Sequence, residues 1–288
     1  MRTSDYDPPA AGLRELVARA LVEDFGSLGD LTSIATIPED ATGAADIVAR
    51  RYGVLAGVAA ATEAFRQVDP AVRLEWHTGD GAIVEPDQRL AAVSGNLRSM
   101  LGAERTALNL LQHASGVATA THQYVEATAG RAKVRDTRKT LPGLRALEKA
   151  AVRAGGGFNH RECLSDAVLI KDNHLAYLDI AAAVARSKAR WPGRTVEVEC
   201  DTLVQVHEAV AAGADLILLD NMDPDQVRDA VAAVDGQVPL EVSGGITFES
   251  IRAYAETGAE YISIGAITHS ATALDIALDI VPNLSTEH

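Results

Sequence analysis

Lysine is rare in this chain, five among 288 residues, and four of the five (Lys133, Lys139, Lys149 and Lys171) fall between Arg131 and Lys171. That stretch carries ten Lys/Arg against four Asp/Glu, an excess of +6 within a chain of formal net charge −14. Arg145, Lys149 and Arg153, at i, i+4 and i+8, read as one solvated face of a helix. Arg138, Lys139, Arg161 and Lys171 do not fit a helix face. They occupy loop or strand-end positions and point to an anionic ligand, because guanidinium forks grip carboxylates and phosphates bidentately. Further on, Glu199 and Asp220 are carboxylates at strand ends, suited to a developing positive charge, to ribose hydroxyls or to a magnesium ion. The last two strand ends are glycine-bearing, Ser243-Gly244-Gly245 and Gly265-Ala266. Backbone N–H groups at such turns suit a phosphate.

The elements that must position these groups are legible as a series. Short β-branched runs at VRDTR (134–138), AVLIKDN (167–173), VEVEC (196–200), LILLDN (216–221), PLEVSGG (239–245) and YISIGA (261–266) alternate with helical patterns such as LVQVHEAVAAG and PDQVRDAVAAV. Starts spaced by about 20 to 34 residues with a helix in each gap mean βα units and a parallel sheet. Near-continuous apolar strands indicate burial on both faces. Six successive units favour a barrel, or one short of the usual eight strands, and in such barrels functional groups gather at the C-terminal strand ends. Glu197 shares the parity of Glu199 two residues deeper and reads as a structural partner for a cation. His113, His122 and His207 lie on helical patterns and read as packing or surface groups; His174 and His269 follow strand ends, and Cys200 alternates to the far side of its strand.

Residues 1–113 read as a separate domain, with the barrel over 114–288 and the tail from about 270 packing back on the first part. LRELVARALVEDFG is an opening amphipathic helix, followed by β-rich sequence from GAADIVARRYGVLAGV to VRLEWHTGDGAIVEPDQRLAAVSGNLRSML. GDGAIVEPDQRLAAVSG resembles the hairpins of biotin- and lipoyl-carrier domains. A carrier needs a lysine at the tip, and residues 1–130 contain none. ERTALNLLQHASGVATATHQYVEAT reads as one or two helices joining the two parts.

Composition removes several function classes. The strongly acidic balance argues against nucleic acid or anionic membrane as a partner. No apolar run is long enough to span a bilayer, and MRTSDYDPPAAG lacks the apolar stretch of a signal peptide, so a cytoplasmic protein is expected. Cys163 and Cys200 are too few for a disulfide framework or a structural zinc site.

A polyanion pocket, a phosphate turn and two carboxylates together suggest transfer of a phosphoribosyl group to an acidic ring. DTRKTLPGLRALEKAAVRAGGGFNHR (136–161) followed by LIKDNH (169–174) closely resembles the quinolinate phosphoribosyltransferase family. ERTALNLLQHASGVAT, VEVE, LLDNM, LEVSGGI and ISIGAITHS stand in the family's order and spacing, over nearly the whole chain. The resemblance implies an N-terminal α/β sandwich and a C-terminal incomplete α/β barrel in a homodimer or larger assembly. It implies an enzyme of NAD synthesis acting on quinolinate and 5-phosphoribosyl pyrophosphate (PRPP). Arg105, Arg138, His160, Arg161 and Lys171 would receive quinolinate, with Arg105 coming from the neighbouring subunit. Lys139 would contact the pyrophosphate, Glu199 and Asp220 the ribose and, directly or indirectly, magnesium. Thr137, Ser243, Gly244, Gly245, Gly265 and Ala266 would hold phosphate. Three rivals remain at this level: a nicotinate-type phosphoribosyltransferase of related fold, a Schiff-base barrel lyase using Lys171, and a non-catalytic relative recruited for metal or cofactor handling, against which the retention of Lys139, Glu199 and Asp220 speaks.

Overall fold

The structure is a computed structural model that describes residues 6–281. The chain divides into two compact units that interleave along the sequence. One comprises residues up to 122 together with 141–156 and the chain from 270 onward; the other comprises 123–140 and 157–269.

In the first unit, α1 (Ala10–Phe25) buries Leu13, Val17 and Leu21, one stripe at i, i+4 and i+8. After α2 (Leu31–Thr36), capped by Asp30 on Ser33 N–H, come β1 (Thr42–Ala49), β2 (Gly53–Val54), α3 (Val58–Val68), β3 (Arg73–Trp76), β4 (Ile83–Val84) and β5 (Arg89–Asn96). The helix α4 (Leu97–Thr128) follows without a break. The segment LRSML, expected within the β-rich sequence, is therefore the first turn of α4, seated by Asn96, whose Oδ1 accepts from Ser99 N–H at 3.1 Å. The resemblance of residues 79–95 to a carrier hairpin does not survive. β4 pairs with β2, whereas β5 pairs with β1 and β3. The turn between β4 and β5 places Asp87 at φ 63° and gives its N–H to Ala49 O, which takes the chain into a different sheet.

A second correction concerns α5 (Arg145–Ala154). Its charged stripe is not a solvated basic face: Lys149 is 1% exposed, and its neighbour Glu148 is 0% exposed. Glu148 is held by His113 Nε2 at 2.9 Å and by the N–H of Leu141, so tertiary partners rather than water meet this helix. The last strand of the unit, β12 (Ile276–Val281), pairs antiparallel with β1. Gly116 on α4 permits the preceding loop to close in, because a Cβ there would lie 2.2 Å from Thr272 O.

The second unit is a sheet of parallel strands: β6 (Lys133–Arg135), β7 (Val168–Ile170), β8 (Val196–Cys200), β9 (Leu216–Asp220), β10 (Leu240–Ser243) and β11 (Tyr261–Ser263). Their order is β6-β11-β10-β9-β8-β7, an incomplete α/β barrel with β6 and β7 at its edges. Between the strands run α6 (Asp172–Leu175), α7 (Ile180–Arg190), α8 (Leu203–Ala211), α9 (Pro224–Val234), α10 (Ile251–Ala255) and α11 (Ala266–His269), and β12 (Ile276–Val281) ends the described chain. The helix starts are written locally. Asp179 caps α7, Thr202 with Gln205 forms a capping box on α8, and Asp223 with Pro224 at the first position opens α9. Each strand turns alternate residues two ways. Val196, Val198, Ile217, Leu219, Val242 and Ile262, all buried, supply the core, while Glu199, Leu218, Asp220, Glu241, Ser243 and Ser263 line a cavity. Among the described residues, no helix is long and apolar enough to cross a membrane.

Candidate active site

The C-terminal strand ends of the second unit surround a cavity of about 380 Å³ lined by Thr137, Arg138, Lys139, His160, Arg161, Lys171, Glu199, Asp220 and Ser243, among others. A second pocket of about 190 Å³ is lined by Thr137, Lys139, Ser243, Gly244, Gly245, Gly265, Ala266 and His269. Thr137, Lys139, Ser243 and Ser263 line both, so the two are neighbouring parts of one site. Of the residues expected from sequence, only Arg105 lies elsewhere, exposed on α4 in the first unit.

Lys171 follows β7, and its ammonium donates to Glu199 Oε2 at the end of β8. Its own N–H is braced by His174 Nδ1 at 2.9 Å, which fixes the turn into α6. Burial raises the Glu199 carboxyl above its ordinary pKa against the opposing pull of Lys171, and Asp220 is raised as well, again first by burial. These two carboxylates stand where a cationic partner would lower both.

Arg138 and Lys139 leave β6 through a turn in which Thr137 Oγ1 accepts from Lys139 N–H at 3.0 Å. Thr268 Oγ1 donates to Lys139 O at 2.8 Å, and the lysine stem passes so close to Gly265 that a Cβ there would sit 2.9 Å from its Cδ. Lys139 is thereby drawn across the glycine pocket. Gly244 and Gly245 have φ of 96° and 59°, in the region that side chains disfavour, which turns the chain sharply after β10.

Arg161 and His160 depend on residues that sequence reasoning did not single out. Asp136 is fully buried, and it accepts from His160 N–H at 2.8 Å and from Asn159 Nδ2 at 2.6 Å, pinning this segment beside β6. Arg161 Nη1 donates to Ala167 O at 3.0 Å. Its pKa is lowered by burial and by the charge of Arg138, a repulsion that a bound anion would relieve.

Beneath the cavity lies an ionic floor. His160 Nε2 is 3.0 Å from Glu197 Oε2 and 3.5 Å from Glu241 Oε1. Arg135 Nη1 donates to Glu241 Oε2 at 2.5 Å while its guanidinium stacks 3.9 Å over the Tyr261 ring, and Ser263 Oγ donates to Glu241 Oε1. Burial pulls the His160 pKa down, but the hydrogen bond to Glu197 and the charge of Glu241 outweigh it, for a net rise. Burial, then the charge of Glu197, pushes Glu241 up. Glu197, expected to partner a cation, meets the ring of His160. Glu241 was detectable by the same parity argument, two residues before Ser243. Arg135 and Asp136 carried only their nearness to Arg138.

Comparison with known proteins matches this chain twice. Residues 30–115 fit the N-terminal domain of quinolinate phosphoribosyl transferase, and residues 117–279 its C-terminal domain. A nicotinate-nucleotide pyrophosphorylase (carboxylating) of Mycobacterium leprae is 44% identical over 96% of this chain and 99% of its own. A probable nicotinate-nucleotide pyrophosphorylase (carboxylating) of Bacillus subtilis is 42% identical over 93% of each. The solved nicotinate-nucleotide pyrophosphorylase of Francisella tularensis superposes with a TM-score of 0.91 at 40% identity, covering 98% of this chain and 100% of that one. With both domains matched and strand-end cations and carboxylates meeting in one cavity, the chain belongs to the quinolinate phosphoribosyltransferase family.

Proposed function

We propose that the protein transfers the phosphoribosyl group of PRPP to the ring nitrogen of quinolinate, with loss of the adjacent carboxylate, to give nicotinate mononucleotide, carbon dioxide and pyrophosphate. The observation that carries this reading is the meeting of Arg138, Arg161 and Lys171 with Glu199 and Asp220 in one cavity that adjoins the glycine pocket. Several cations exceed what one carboxylate needs beside PRPP, and two carboxylates on the acceptor match them.

In this reading Arg138, His160, Arg161 and Lys171 fix the quinolinate ring, and Arg105 of a second subunit completes that pocket in a homodimer or larger assembly. Thr137, Ser243, Gly244, Gly245, Gly265 and Ala266 receive phosphate. Lys139 neutralises charge on the departing pyrophosphate, and Glu199 and Asp220 stabilise positive charge at ribose C1 as the bond to pyrophosphate lengthens. The quinolinate nitrogen forms the new bond to C1. When the C2 carboxylate leaves as carbon dioxide, the bonding electron pair stays on C2, where the adjacent positive pyridinium nitrogen stabilises it, and C2 then takes up a proton. Holding the ring and C1 in line contributes several kcal/mol, on the order of effective-molarity effects. Glu199 and Asp220 offer hard oxygen donors that fit magnesium, which would add neutralisation of the pyrophosphate. The catalytic part of the chain is assigned to 114–288.

Lys171 pairs with Glu199, an arrangement that engages the amine rather than leaving its lone pair for an imine. The test is pyrophosphate release from PRPP with magnesium, comparing quinolinate, nicotinate and nicotinamide. Turnover confined to quinolinate, with stoichiometric carbon dioxide, is expected. Turnover with nicotinate instead would overturn the role of the second carboxylate.

A further inference from the structure

The residue after β9 is Asn221, at φ 55°, in a left-handed conformation that glycine would adopt more cheaply and that asparagine tolerates. What asparagine adds over glycine here is its side chain, and both ends of that side chain touch residues of the site. Its Nδ2 donates to Asp220 Oδ2 at 2.6 Å. Its Oδ1 fills the space beside Gly244, where a Cβ would lie only 2.2 Å away. Its backbone N–H donates to Ser243 O at 2.9 Å, adding a rung beyond the Asp220–Ser243 pair that ends the β9–β10 ladder.

We propose that Asn221 is a positioning residue for the phosphoribosyl donor, a clasp that sets the Asp220 carboxylate and the Gly244 turn as one unit. Asp220 then meets the ribose from an orientation fixed relative to the phosphate turn, so that the two ends of the ribose 5-phosphate moiety are received together. Asn221 is itself exposed, and packing gives no reason for its identity. The glycine that follows Ser243 is required twice over, by its own φ of 96° and by the nearness of Asn221. The proposal rests on the reading of this cavity as the PRPP site and assigns a further residue to it.

The experiment compares the wild-type protein with Asn221→Gly, which keeps the left-handed backbone, and Asn221→Asp, which keeps the side-chain shape but loses the donor. KM for PRPP and for quinolinate is measured separately, ribose 5-phosphate binding is followed by calorimetry, and melting temperature is recorded. Loss of a hydrogen bond to a charged group should raise the PRPP KM and weaken ribose 5-phosphate binding by about tenfold in both variants, with the quinolinate KM changed less than about twofold. A PRPP KM and ribose 5-phosphate affinity equal to wild type in Asn221→Gly would overturn the proposal, as would a parallel rise in both KM values. Failure of the functional reading shows in the wild-type protein alone, as silence with quinolinate. Failure of the clasp shows only in the difference between wild type and variant, and the calorimetric readout needs no acceptor.

Discussion

Both units bury carboxylates, but they use them for different ends. In the first unit Glu148, fully buried, accepts from the N–H of Leu141 as well as from His113, and Asp80 accepts from the N–H of Val58 at the start of α3. There the acids secure main chain. In the second unit Asp136 likewise secures main chain, at the N–H of His160, but Glu197 and Glu241 meet His160, Arg135 and Ser263, which are side chains at and beneath the cavity. There Glu197 and Glu241 set the position and charge of the groups proposed to receive ligand. Burying a carboxylate is expensive in either place, and removing one partner of such a pair leaves the other uncompensated. Loss in the first unit should therefore register as stability, and loss in the second as ligand affinity.

The sharpest test of that division is Arg161→Ala. In the proposed reading its pocket partner is the ligand, so the quinolinate KM should rise by roughly 150-fold, equivalent to about 3 kcal/mol, with the PRPP KM little changed. Chemical denaturation should find the fold nearly as stable as before, and equal rises in both KM values would remove Arg161 from the acid pocket. Glu148→Ala is the mirror experiment. It should lower unfolding stability by about 3 kcal/mol, because His113 and the Leu141 N–H lose a buried partner. Both KM values should hold in the folded fraction; a selective rise in one of them would break the comparison.

Asp80 gives the smallest effect and a pH signature. Burial is the main cause of its rise from 3.8 to about 6. The folded state therefore prefers the protonated form. The penalty is absent below the unfolded value, grows as pH rises toward 6, and is full above it. Asp80→Asn keeps an acceptor for Val58 and removes the charge. It should stabilise the protein by about 2 kcal/mol at pH 7.5 and by little at pH 4, read from melting curves at the two pH values. A gain of the same size at both would assign the effect to something other than ionisation.

Much of the second unit was legible because its signals are local. Each run ending in Lys171, Glu199, Asp220 or Ser243 carries its own apolar strand, its own strand end and a helix after it, so reading one at a time sufficed. The first unit resisted for the opposite reason. The spacing of Arg145, Lys149 and Arg153 is helical whether the face is wet or dry, and His113, which decides the matter for Glu148, lies 35 residues away. Residues 79–95 have the composition of a hairpin, yet the pairing of β4 with β2 is a choice between strands that local sequence does not record. Asn221 was visible within LLDN, but its clasp on Asp220 and Gly244 depends on a positive φ that no pattern of apolar residues encodes.

The antiparallel pairing of β1 with β12 joins Ala49 to Ile276 and Ala44 to Val281. On the ribosome, this edge of β1 has no partner until β12 has been made. At roughly 5–20 residues per second, the wait from one strand to the other is about ten to fifty seconds. Throughout it the nascent protein carries an unpaired strand edge of the kind that recruits other chains. Of the barrel strands, β7 to β10 each emerge just before the next strand that pairs with them, and β6 alone must wait, for β11. A stalled or truncated translation product lacking β12 would thus have its second unit complete and its first unit open along one edge, a substrate for chaperones rather than an enzyme.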